Sequence, residues 1–160
     1  MDNFNVSTFF THDHDELDGF FAKFQQYKRT DYPLAKQYFK QFKFGLQRHI
    51  VWEEEFLFPL FEQVTGSIDG PTQVMREEHR QIGAALEAVH KKVQKADPNS
   101  DVQEQDLLSI LKAHNDKEEH VLYPAIDQVA SEEQLRVLHT SMETLPPERY
   151  MVCCKQHTHS

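Results

Sequence analysis

The chain has 160 residues, 39% of them hydrophobic and including 12 phenylalanines, which is enough material for one domain with a real core. Its formal net charge of -9, from 17 basic against 26 acidic residues, leaves no basic surface to neutralise nucleic-acid phosphates, and the longest basic clusters are pairs such as Lys91 and Lys92. No run of about 18 apolar residues spans a bilayer, and the N-terminal MDNFNVSTFFTHDHDE lacks the basic stretch of a secretion signal, so a soluble cytoplasmic protein is expected.

Apolar residues recur at steps of three and four in four long segments, and alternating strand-like runs are missing, so the predicted fold class is all-α. Phe10, Leu17, Phe21 and Phe24 form one stripe, ended by the turn-like RTDYP at 29–33. A second segment starts near Leu34 and carries Phe42, Leu46, Phe56, Leu57 and Leu60 on one face. It stops at TGSIDGP, 65–71, whose glycines and proline break helices. A third runs from about Thr72 to Lys95 through Met75, Ile82, Leu86, Val89 and Val93, before ADPNSD at 96–101. The fourth covers roughly Val102 to Val129, with Leu107, Ile110, Leu111, Val121, Leu122 and Ala125 aligned. A short helix follows, because Ser131 with Gln134 fits a capping box and Leu135, Leu138 and Met142 form a stripe, closed by LPP at 145–147.

These segments predict an up-and-down antiparallel four-helix bundle with a short additional C-terminal helix over residues 1–145, and a tail over 146–160. The only cysteines, Cys153 and Cys154, are adjacent in that tail and build no disulfide framework, as suits a reducing compartment. CCKQHTH, 153–159, fits either a soft-metal or oxidant-reactive site or a mobile tail.

Polar residues interrupt the apolar stripes at regular places. His14 lies four after Phe10 and three before Leu17, His49 three after Leu46, and Glu53 three before Phe56. His79 lies between Met75 and Ile82, His114 three after Leu111, and Glu118 three before Val121. All six face inward if the stripes do. The spacing is duplicated: His14 to His49 and His79 to His114 are both 35 residues, and the halves are offset by 65. HIVWEEEFLFPLFE (49–62) over HNDKEEHVLYPAID (114–127) matches His, Glu, Glu, Leu and Pro at identical offsets.

A single histidine on an apolar stripe is most often a core residue held by a hydrogen bond, and a single His-x-x-x-Glu is an ordinary helix pair. Six such residues at duplicated offsets place four imidazoles and two carboxylates in one core. An unpaired buried carboxylate costs several kcal/mol, so two of them need a strong offset, which divalent cations supply. Six ligands from two equivalent halves fit two metals, each with two imidazoles, bridged by both carboxylates. A further bridging oxygen makes five ligands per metal and leaves one position open on an octahedral ion. Glu54 and Glu119 are rotated about 100° from the proposed ligands, which puts them in solvent or on the rim. Glu55 is expected to face solvent, and His12 to lie at the surface or cap the N-terminus. Pro59 and Pro124, six after the two glutamates, mark either a bend or a helix end.

With these residues in hand, the chain resembles the hemerythrin-like (HHE cation-binding) family. The resemblance is carried by HDHDELDGFF around His14, HIVWEEEFLFP from His49, GPTQVMREEHRQI around His79 and HNDKEEHVLYP from His114, over roughly residues 8–129. It implies a non-haem di-iron centre, oxo- or hydroxo-bridged, in an antiparallel bundle of the kind that includes myohemerythrin. His14 and His49 would bind one iron, His79 and His114 the other, with Glu53 and Glu118 bridging. The oxygen-carrying members have a further histidine one turn after the first on the third helix, where this chain has Gly83. Four histidines and two glutamates look instead like the bacterial type that includes proteins implicated in repairing iron–sulfur centres under nitrosative and oxidative stress. The implied function is binding or sensing dioxygen, nitric oxide or peroxide, or handling iron in a stress response. A metal-dependent peroxidase or oxidase, and a zinc or structural metal module serving an interaction surface, stay open as alternatives.

Overall fold

The computed structural model describes residues 4–152. Cys153, Cys154 and the tail histidines lie outside the described residues. Four helical rods lie side by side: α1 (Val6–Tyr27); a second rod of α2 (Tyr32–Trp52), a π-helical turn (Glu53–Leu57) and α3 (Phe58–Thr65); α4 (Pro71–Gln94); and a fourth rod of α5 (Asp101–Lys117), a second π turn (Glu118–Leu122) and α6 (Tyr123–Val129). Each rod packs against its sequence neighbours, and the fourth returns to the first, so the topology is the predicted up-and-down antiparallel four-helix bundle. α7 (Glu132–Glu143) begins with the predicted Ser131–Gln134 capping box and lays Leu138 and Met142 against the bundle end beside Trp52. No helix among the described residues is long and apolar enough to cross a membrane.

Local chemistry fixes the rod ends. The Asn5 side chain caps α1 by accepting from the Thr8 amide, and Asp127 on the fourth rod accepts the orphan Val6 and Ser7 amides at 2.8 and 2.9 Å. Its counterpart Glu62 reaches the first turn of α4, where Pro71 has no N–H to give, and accepts from the Thr72 hydroxyl at 2.7 Å. Gly66 ends α3 at φ +73°, a left-handed position that favours glycine.

The core is split. One apolar cluster gathers around Leu17, Phe21, Phe24, Phe39, Phe42 and Leu107, and a second around Phe10, Trp52, Leu57, Phe58, Leu122 and Ile126. On every rod the residues between these clusters are the polar ones of the duplicated motif, so they form one layer across the bundle.

The far end of the bundle holds a separate buried ion pair. Lys28 donates to Glu104 at 2.6 Å and to the exposed Asp101 at 2.5 Å, while the Ser100 hydroxyl and Gln25 also donate to Glu104. Removing one partner of such a pair strands the other in the core. Glu104→Leu is therefore expected to lower the unfolding free energy by about 3 kcal/mol, and Lys28→Met in the same chain to recover most of the loss. Urea unfolding of the single and double variants reads this; a double variant as unstable as Glu104→Leu would refute the coupling.

Candidate metal centre

Each motif residue reaches the layer by its rod. His14 comes from α1, His49 from α2, His79 from α4 and His114 from α5, while Glu53 and Glu118 open the two π turns. All six are buried, and both glutamates are fully so. The structure brings together every residue the duplicated spacing singles out. Glu53, His79, His114 and Glu118 offer ligand atoms mutually within 4.8 Å, as do His14, His49 and Glu118.

The outer face of each imidazole is held by a carboxylate. His49 Nδ1 lies 2.8 Å from Asp13, His114 Nδ1 2.8 Å from Glu78, His79 Nδ1 2.6 Å from Glu54, and His14 Nδ1 2.7 Å from Glu119. With Nδ1–H donated outward, each ring presents Nε2 to the layer. These partners obey the repeat too: Asp13 and Glu78 precede the first histidine of each half, and Glu54 and Glu119 follow each inward glutamate. Glu54 and Glu119 thus support from the rim, as expected. The roles of Asp13 and Glu78 were invisible in the apolar stripes, and their signal was adjacency to His14 and His79.

Inside the layer the acceptors outnumber the donors. Glu53 spans both halves, with Oε1 3.0 Å from His79 Nε2 and Oε2 3.3 Å from His49 Nε2. Glu118 Oε1 lies 3.3 Å from both His14 Nε2 and His114 Nε2. Its Oε2 is buried with no hydrogen-bond partner. Four imidazole nitrogens and two carboxylates therefore converge on a space into which, among the described residues, Tyr123 alone directs a hydroxyl. Acceptor atoms gathered at such distances, with one orphaned, fit a positive charge between them. Borderline N and O donors of this kind suit a divalent first-row metal.

Tyr123 is the inward residue the sequence reading missed. It is fully buried, and its hydroxyl lies 2.6 Å from Glu53 and 2.8 Å from Glu118. The π turn puts it there. The Tyr123 amide bonds the Glu118 carbonyl, five residues back, and the Phe58 amide bonds that of Glu53. A turn with one extra residue carries position 123, not 121, under Glu118. Val121, predicted on the inward stripe, is instead 63% exposed. Pro59 and Pro124 follow each π turn, where the register change leaves their missing N–H without consequence. Of the remaining candidates, Glu55 pairs with Arg149 at the surface and His12 is exposed beside Glu16.

Beside the layer, toward the Leu17 cluster, lies a cavity of about 10 Å³, room for about one water-sized molecule. Leu17, Leu46, Ile50, Ile82 and Leu111 line it on one side, the four histidines with Glu53 on another, and Asp18 and Asn115 lie toward the surface.

The charges interlock. Burial disfavours ionised His49 and His79, yet the Glu53 carboxylate, with Asp13 and Glu54 behind, holds His49 well above the usual imidazole range and pushes His79 up to about 9. Burial disfavours the Glu53 charge as well, and the His49 imidazolium overrides it. A raised histidine contributes stability that is complete below its unfolded value and lost as pH climbs through its folded one. The metal-free protein is therefore expected to melt at progressively lower temperature from pH 6.5 to 9. Thermal melts across that range check it, and a midpoint that rises would contradict the arrangement.

The model of the Hemerythrin HHE cation binding domain family matches residues 5–126, which include the whole polar layer. No curated protein and no solved structure matches the chain. A family match over most of the sequence, ending on a buried His/Glu cluster that fits a metal, identifies the protein at this level: the chain belongs to the hemerythrin HHE cation-binding family and binds a metal cation.

Proposed function

We propose that the layer holds two irons, one between His14 and His49 and one between His79 and His114, with Glu53 and Glu118 bridging, and that the centre binds a small uncharged ligand, dioxygen or nitric oxide. The observation that carries this reading is the convergence of two histidine pairs on two buried glutamates, with Glu53 reaching both pairs. Two irons there would supply open coordination positions and one-electron redox steps to the ligand. The chain's own residues do the rest. The carboxylates on Nδ1 lock the tautomer and orientation of each imidazole. The apolar residues beside the histidines and the Asp18 carboxylate at the cavity's outer side disfavour a peroxide anion relative to an uncharged diatomic. The four-histidine, two-glutamate set supports a stress-response role, through its resemblance to the repair proteins.

Metal analysis with an optical spectrum tests the assignment. The iron-loaded protein is expected to carry two irons per chain, and His49→Ala and His114→Ala each to lose iron from one half. Full occupancy in both variants, or a colourless zinc protein as isolated, would overturn it. Mixing the reduced protein with dioxygen, nitric oxide and peroxide then ranks the ligands, and sustained peroxide turnover would favour an enzyme.

The outer carboxylates give a second test. Asp13→Asn and Glu54→Gln keep size and burial while weakening the hold on His49 and His79, so each is expected to reduce metal affinity about 10–100-fold. Competition with a chelator measures it, and unchanged affinity would show that these contacts do not tune the ligands.

A further inference from the structure

Among the positions where the repeat differs, one changes what reaches the layer. Phe58 in the first half stacks on His79 at 5.6 Å and 18° and offers no donor, whereas its counterpart Tyr123 directs a hydroxyl into the other half. We propose that Tyr123 is a further protein ligand, its phenolic oxygen binding the metal held by His14 and His49, so that only the metal held by His79 and His114 keeps a position for an outside ligand. This rests on the two-iron reading above.

The geometry of the hydroxyl carries the argument. Its oxygen lies 3.4 Å from His14 Nε2, 3.2 Å from His49 Nε2, 2.6 Å from Glu53 Oε2 and 2.8 Å from Glu118 Oε1. Those are the atoms that would surround that metal. Glu53 Oε2 lies on the His49 side, and Glu118 Oε1 stands 3.3 Å from both His14 Nε2 and His114 Nε2, between the halves. Neighbouring ligands of a small octahedral ion with bonds of about 2.1 Å stand about 3 Å apart, which is the separation the phenolic oxygen keeps from all four. A plain hydrogen bond accounts for less, because one O–H satisfies one carboxylate and the tyrosine faces two. Iron accepts phenolic oxygen as a protein ligand elsewhere, for example on haem.

The count of ligands then differs between halves. Two imidazoles, two carboxylates and a bridging oxygen leave each iron one position short of six. The tyrosine fills it on one side only. On ligation the O–H bond breaks, an iron–oxygen bond forms and the proton passes to solvent, so iron uptake releases one proton more than it would with phenylalanine at this position.

The test uses the full chain loaded with iron and oxidised in air, with iron content, visible absorption and resonance Raman spectra recorded together. The expected result is two irons per chain and a visible phenolate-to-iron band whose excitation enhances tyrosine ring vibrations. Tyr123→Phe is expected to retain iron and lose the band. Ring-deuterated tyrosine in the unsubstituted protein is expected to shift those vibrations, which reads the ligand even if the variant fails to fold. Two irons without enhanced ring vibrations, or a band that survives Tyr123→Phe, would overturn the tyrosine ligand and leave the two-iron reading intact. A chain that takes up no iron would overturn both.

Discussion

Two fully buried carboxylates, Glu53 and Glu118, face four imidazoles across the centre of the bundle, and the packing around them follows from keeping those charges matched. Each imidazole is in turn tied to an outer carboxylate on a neighbouring rod. Asp13 links the first rod to the second through His49, Glu54 the second to the third through His79, Glu78 the third to the fourth through His114, and Glu119 the fourth back to the first through His14. The four links close a ring. A slide of any one helix by a single residue would break two of them and leave buried charge unpaired, so the polar layer sets the register that interchangeable phenylalanines and leucines on either side leave loose.

The π turns reconcile that layer with continuous helices. In an unbroken α-helix the positions four and eight after His49 stay on one face, and the residue five after Glu53 drifts away from it. The wider turn at Glu53–Leu57 brings Leu57 and Phe58 inward together, and the one at Glu118–Leu122 does the same for Leu122 and Tyr123. Each is followed by a proline, which lacks the donor that the changed register would have displaced.

Much of this was legible in the sequence. Periodicity gave the four rods and the capping box of α7, and the 35-residue spacing offset by 65 gave all six inward polar residues, because burial of charge at duplicated positions has few other uses. What the pattern hid follows from its own assumption of a constant helical turn. A constant turn points Val121 inward and leaves Tyr123 off the stripe, and the extra residue in the turn that begins at Glu118 reverses both. Pro59 and Pro124 signalled the irregularity without fixing its kind. Asp13 and Glu78 were missed because a residue beside a ligand lies off the stripe, yet on the flank of a helix it meets the histidine of the next rod.

Duplication makes the two halves of the layer alike in their two histidines and their inward glutamate, while the equivalent residues 58 and 123 differ by a hydroxyl. A symmetric site would offer two equivalent vacancies, and an incoming diatomic molecule would have no preferred end. Phe58 stacks on His79 without offering a hydroxyl, while Tyr123 directs its hydroxyl toward His14 and His49. The asymmetry costs a single oxygen atom in sequence terms and leaves the helices, the outer carboxylates and both inward glutamates untouched. On the two-iron reading proposed above, a repeat that keeps its scaffold and differs at this buried oxygen would separate the two demands on the layer, holding metal in both halves and leaving access in one.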